Sequence, residues 1–112
     1  MSGSMKSHFV RVVGVTYEGR QELIEQLREG DYGRLVPEPT NPYDVNAIAV
    51  HIPHDGEVFH IGYIKREFAA EVAPKMEGES LDCRIHSISG GYDNGYDGWV
   101  SYGVILQVEL PE

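Results

Sequence analysis

Six short β-rich segments follow one another along this chain with only two helical stretches among them, leaving too little connection for the long crossovers of a parallel βαβ sheet. The expected fold is therefore mainly β with two short helices, a small six-stranded OB-like or SH3-like β-barrel. The first strand is expected over Phe9 to Val15, and a helix over Gly19 to Glu29, with Leu23, Ile24 and Leu27 on one face and Gly30 as its stop. Further strands are expected over Arg34 to Glu38, Asn46 to Ile52 and Val58 to Ile64, with Pro53-His54-Asp55-Gly56 turning between the last two. Lys65 to Ala73 is helical in pattern and Pro74 is its expected end. Leu81 to Ser89 and Trp99 to Glu109 complete the set, joined by Gly91-Tyr92-Asp93-Asn94 and its echo Gly95-Tyr96-Asp97-Gly98, which read as a mobile hairpin tip. Glycines 14, 33, 62 and 103 stand where a tight barrel bends or brings backbones close.

At 112 residues the chain is long enough for one modest core. Residues 8–110 are expected to form that single barrel domain and residues 1–7 a flexible N-terminal segment, in which Ser2-Gly3-Ser4 reads as a cloning remnant ahead of a native Met5. No apolar run approaches the roughly 20 residues that span a bilayer, and no apolar h-region follows the start, so neither a membrane partner nor secretion is expected. Cys83 is the only cysteine, which excludes an intramolecular disulfide and fits a cytoplasmic location.

The most informative polar segment is Asn41-Pro42-Tyr43-Asp44, which runs directly into the apolar strand at Ala47 to Val50. Pro42 fixes its own φ and holds Asn41 extended, while Asn41 and Asp44 are short polar side chains suited to bonding nearby backbone. Tyr43 is thereby displayed between an amide and a carboxylate. Such a corner serves either as a recognition surface for a stacked, polar-edged group such as a terminal nucleotide, or as a structural turn whose ring packs on the barrel wall. The net charge of −9 disfavours a polyanion, because non-specific nucleic-acid affinity comes from Lys and Arg neutralising phosphates. The cations available to a local basic face are Arg11, Arg34, Lys65, Arg66 and Arg84.

Other chemistry is not expected. His51, His54 and His60 do not follow a recognised metal spacing and have no cysteine nearby. Asp93 to Gly98 opens like a calcium loop, but Val104 stands where that loop needs a glutamate. No phosphate loop or nucleophile elbow is present, so we expect no metal, no cofactor and no enzymatic activity in this chain.

In order, Val12-Val13-Gly14-Val15-Thr16-Tyr17, Leu35 to Val50 with its Asn41-Pro42-Tyr43-Asp44-Val45-Asn46-Ala47-Ile48 centre, and Ile61-Gly62-Tyr63-Ile64-Lys65-Arg66-Glu67-Phe68-Ala69 resemble the HIRAN domain, over about residues 8 to 109. That family has a modified OB-like barrel with two helices, and its best-understood members capture the 3′-hydroxyl end of single-stranded DNA. The resemblance implies a non-catalytic module, a sensor or adaptor in DNA repair or processing. Position by position it implies that Tyr43 and Tyr17 stack on a base, that Asn41 and Asp44 form the polar pair beside it, and that Arg66, assisted by Lys65, contacts the backbone. Asp44 then accepts a hydrogen bond from a free 3′-hydroxyl and repels a 3′-phosphate. Two positions depart from the DNA-end-binding pattern: Thr16 replaces an arginine and Tyr63 a histidine, with Tyr63 able to supply a phenol or stacking face instead. Two readings stay open, a DNA-end-binding module built on Tyr17, Asn41, Tyr43, Asp44, Tyr63, Lys65 and Arg66, and an acidic protein-interaction domain that keeps the fold.

Overall fold

The computed structural model describes residues 4–111; the part of the expected remnant at Ser2 and Gly3 lies outside the described residues. Eight strands and two helices follow in the order β1 (Met5–Val13), α1 (Arg20–Ile24), β2 (Tyr32–Pro37), β3 (Ile48–His54), β4 (Glu57–Ile64), α2 (Arg66–Met76), β5 (Leu81–Ser89), β6 (Tyr92–Asp93), β7 (Trp99–Val100) and β8 (Gly103–Pro111). Six of them close into an antiparallel barrel, β1-β4-β3-β2-β5-β8, while β6 and β7 pair separately as a two-stranded ribbon. The expected six-stranded, mainly β architecture is the one observed.

Inward-facing branched residues fill the barrel: Leu35, Ile48, Val50, Ile52, Ile61, Ile85 and Leu106 are completely or almost completely buried. Ile24 and Leu27 from the α1 segment, and Ala69, Val72 and Met76 from α2, join the same core. Between β3 and β4 the turn is two residues long, with Asp55 and Gly56 both at positive φ (48° and 81°). That is the combination a tight hairpin needs to match strand twist. Pro53 and His54, expected in the turn, instead continue β3 and pair with Val58 and Glu57.

Closure depends on β1 changing partners. Its first part pairs with β8 from Met5↔Pro111 to Arg11↔Ile105, and its last two residues pair with β4 as Val12↔Ile64 and Val13↔Tyr63. Gly62 (φ 150°) stands at this junction, where a Cβ would press on the Val13 carbonyl oxygen and sit 2.7 Å from Val12 Cγ1. Gly33 plays the same part across the barrel, its Cβ position lying 2.5 Å from Ile52 Cδ1 and 3.1 Å from Cys83 Sγ. Packed there, Cys83 is buried, and burial pushes its thiol up to about 12.

The element ends differ from expectation in instructive ways. Residues 5–7, expected in a flexible segment, form the start of β1, where Ser7 Oγ donates to Glu109 Oε2 at 2.5 Å. Ladder hydrogen bonds come from the backbone, so a polar segment with no apolar alternation still pairs. The first helix is confined to Arg20–Ile24, after which the chain tightens into i→i−3 bonds, Gln26 N–H to Leu23 and Leu27 N–H to Ile24. Helix α2 runs through Pro74 to Met76 instead of ending before it. The missing proline N–H frees only the carbonyl of Ala70, an exposed residue, while burial of Met76 holds the last turn. The last expected strand is divided at Ser101 and Tyr102 into β7 and β8. The segment expected as a mobile tip is the hydrogen-bonded β6–β7 ribbon, Tyr92↔Val100 and Asp93↔Trp99.

Among the described residues no helix is long and apolar enough to cross a membrane.

Adding a methyl at Gly33 should destabilise the fold by about 1–3 kcal/mol through overpacking. Urea titration of Gly33→Ala, Ile52→Val and the double variant checks the cause: removal of the Cδ1 methyl should recover part of the Gly33→Ala loss, and simple additivity would rule the contact out.

Candidate functional site

One rim of the barrel collects three chain exits, because β1, β4, β3 and β2 are neighbours in that order. The C-terminal end of β1 leads to α1, the β2–β3 connection crosses the rim, and the C-terminal end of β4 enters α2. Together they wall a groove of about 1320 Å³. Tyr17, Asn41, Tyr43, Asp44, Tyr63 and Arg66 all line it; Lys65, at the start of α2, is exposed but is not part of the wall.

The β2–β3 corner is built by its own side chains. Asn41 Oδ1 accepts the backbone N–H groups of Tyr43 (2.8 Å) and Asp44 (3.2 Å), and Asn41 Nδ2 donates to Glu38 Oε1 at 3.1 Å. Asp44 Oδ1 accepts the N–H of Asn46 at 2.9 Å, and the backbone adds Ala47 N–H to Asp44 O and Glu38 N–H to Ala47 O. Asn41 is thus mainly the pin of the turn, with both acceptor directions occupied. The outcome is a fixed loop whose tyrosine ring is 89% exposed. Packing of Tyr43 against the barrel wall is excluded.

Behind the corner lies a polar layer that composition alone does not reveal. Glu38 Oε1 also accepts the Tyr63 hydroxyl at 2.9 Å. The Tyr63 ring meets His60 edge-on at 5.0 Å and carries the Arg20 guanidinium 5.6 Å above its centroid. Burial, then the bond to Glu38, pushes the Tyr63 phenol upward, so it remains a neutral donor. Tyr63 is therefore held within the wall rather than offered as a free stacking face.

Arg20, only 6% exposed, is the one buried charged residue among the described residues. Its Nη1 donates to Gly14 O at 2.8 Å and its Nη2 lies 3.7 Å from Glu18. On the opposite wall, Arg66 Nε lies 3.7 Å from Asp44 Oδ2, and the arginine is largely exposed. Three carboxylates (Glu18, Glu38, Asp44) face two guanidiniums (Arg20, Arg66) in the groove, so it is nearly balanced while the whole chain carries −9.

The other candidate cations do not gather here. Arg34 bonds Ser80 Oγ and approaches Asp82, and Arg84 donates to Gly30 O at 3.0 Å. Arg84 lines a separate, smaller recess of about 350 Å³ with Tyr32 and Asp82. Glu38 and Arg20 were not singled out from sequence. Glu38 lies in a Pro-Glu-Pro run that reads as a strand end, and Arg20 opens a helix rich in glutamate; a cation at its first turn was the available signal.

His60 titrates in a way that reports on this wall. Its pKa is lowered from 6.5 by burial first, then by Arg20 and His51, against the opposing pull of Glu38 and the Gly62 carbonyl. With the proton on Nε2, neutral His60 donates to that carbonyl at 3.1 Å.

A family model described as the HIRAN domain matches residues 5–94. Among solved structures, the HIRAN domain of human HLTF superposes with a TM-score of 0.56 at 21% identity, covering 91% of this chain and 75% of that one. A protein from Lactobacillus plantarum superposes with a TM-score of 0.62 at 25% identity, covering 96% and 98% of the two chains. No curated protein matches the chain.

Because the folded His60 pKa is depressed, its stabilising contribution is full above the unfolded value of 6.5 and is lost as pH falls through the lower folded value. The melting temperature should fall as the pH drops from neutral to about 5.5, and His60→Gln should flatten that fall. An identical slope in the variant would assign the loss to other groups.

Proposed function

The chain belongs to the HIRAN domain family, and on that footing we propose that it is a non-catalytic nucleic-acid-binding module that captures the 3′-hydroxyl end of single-stranded DNA. The observation that carries this reading is the Tyr43 corner: a fully displayed ring on a loop pinned by Asn41, beside a carboxylate, over a groove with little net charge. A terminal base stacks on Tyr43, with Tyr17, 66% exposed, offering a second ring on the β1–α1 segment. Asp44 accepts from a hydroxyl terminus and repels a phosphate placed there. Arg66 swings from its long contact with Asp44 to the last internucleotide phosphate, assisted by Lys65. Tyr63, neutral and held by Glu38, shapes the floor.

Such a site has few phosphate contacts, so affinity is modest and only weakly salt-dependent. End capture suits a sensor or adaptor in DNA repair or processing within the cytoplasm, with any motor activity residing in a fused or partner motor. The acidic surplus outside the groove favours the alternative reading, an acidic protein-interaction domain that keeps the fold with little DNA affinity and meets a basic partner.

Fluorescence anisotropy with a short oligonucleotide tests the reading. A 3′-hydroxyl should bind tighter than a 3′-phosphate, and Asp44→Asn should shrink that difference; equal affinities for the two termini would end the selector role. Tyr43→Ala should weaken binding by about 1–3 kcal/mol with the melting temperature nearly unchanged. A large fall in melting temperature would instead mark Tyr43 as a structural residue.

A further inference from the structure

The Tyr43 corner occurs twice. In the β6–β7 ribbon, Asn94 Oδ1 accepts the backbone N–H groups of Tyr96 (2.8 Å) and Asp97 (3.1 Å). Asn41 Oδ1 accepts those of Tyr43 (2.8 Å) and Asp44 (3.2 Å). Both segments read Asn-x-Tyr-Asp, with Pro42 in one and Gly95 in the other, and both put a tyrosine almost wholly in solvent, 89% exposed at Tyr43 and 97% at Tyr96. The tip is otherwise fixed as firmly as the corner: Asp93 Oδ1 accepts Gly95 N–H at 2.8 Å, Asn94 Nδ2 donates to Asp97 Oδ1 at 3.2 Å, and Asn94 N–H bonds Gly98 O at 2.9 Å. Trp99, the chain's single tryptophan, stands beside it and is also exposed.

The ribbon is joined to the groove through α1. Gln21 Oε1 accepts the Tyr102 N–H at 2.7 Å, while Gln21 Nε2 donates to the carbonyls of Tyr102 (3.1 Å) and Val15 (2.9 Å). Gln21 follows Arg20 of the groove wall, and Tyr102 meets the Trp99 ring edge-on at 6.1 Å. A run of fixed contacts therefore connects the segment bearing Tyr17 to Trp99 of the ribbon.

We propose that the β6–β7 ribbon is a second stacking station for the same single strand, in which Tyr96 and Trp99 take bases upstream of the terminal nucleotide held at Tyr43. This rests on the end-binding reading above and extends it from an end to a short track. The ribbon bears Asp93 and Asp97 and no Lys or Arg from Gly90 to Tyr102, so it engages base faces with the phosphates turned to solvent. It adds affinity without adding salt dependence.

The test uses the full chain and 5′-labelled oligothymidylates of about 4 and about 12 nucleotides ending in a 3′-hydroxyl, lengths that bracket a one-domain site. Wild-type protein should bind the longer strand roughly 5-fold or more tighter, the lower end of what one stacked base contributes. Tyr96→Ala and Trp99→Ala should each reduce that gain while leaving short-strand affinity and the salt slope unchanged, and Tyr43→Ala should weaken both strands. Trp99 fluorescence should be quenched by the longer strand and not by the shorter. An undiminished length gain in both ribbon variants, or unquenched Trp99 with the long strand bound, overturns the second station alone. Binding of neither strand by wild-type protein overturns the end-binding reading and the track with it.

Discussion

The close approach of β1 to β4 at Gly62 governs the rest of the molecule. With a side chain there, Val13 could not lie against Tyr63, β1 would have no partner after leaving β8, and the barrel would remain open along that seam. The seam also aligns the functional rim, since it fixes the start of the Gly14–Arg20 segment relative to Tyr63 and the α2 entrance. Backbone proximity, more than any charged contact, brings three separate loops to one place.

On that frame the groove separates holding from meeting. Asn41, Glu38, Tyr63, His60 and Arg20 bond to one another or to backbone, and their partners are largely occupied within the wall. Tyr43, Tyr17 and Arg66 reach solvent. A buried guanidinium under a phenol ring, with Glu18 alongside, keeps a positive charge in the wall without desolvating it unpaired. This arrangement explains how a chain of net charge −9 retains one rim that is nearly neutral.

Much of this was legible in the sequence, and the unread parts have physical causes. Alternating branched residues located β2 to β5, and Asp55-Gly56 located the hairpin, because side-chain burial and positive φ leave marks in residue type. The start of β1 left none, since its pairing with β8 comes from backbone groups. Pro74 suggested a helix end that packing of Met76 overrides, and the echoed Gly-Tyr-Asp segment suggested mobility where paired asparagine and aspartate bonds impose order. In the groove, Tyr43 and Asp44 stood out because a proline-rigid corner is local. Glu38 and Arg20 did not, because their roles rest on contacts with residues far along the chain, Tyr63 above all.

The lone thiol of this chain sits against Gly33, the second close approach in the wall, and burial pushes it up to about 12. Thiolate is the species that reacts with alkylating and oxidising reagents, so burial in the closed barrel disfavours that chemistry. Modification at that sulfur is therefore expected to be slow in the closed barrel and to quicken when β2 and β5 part.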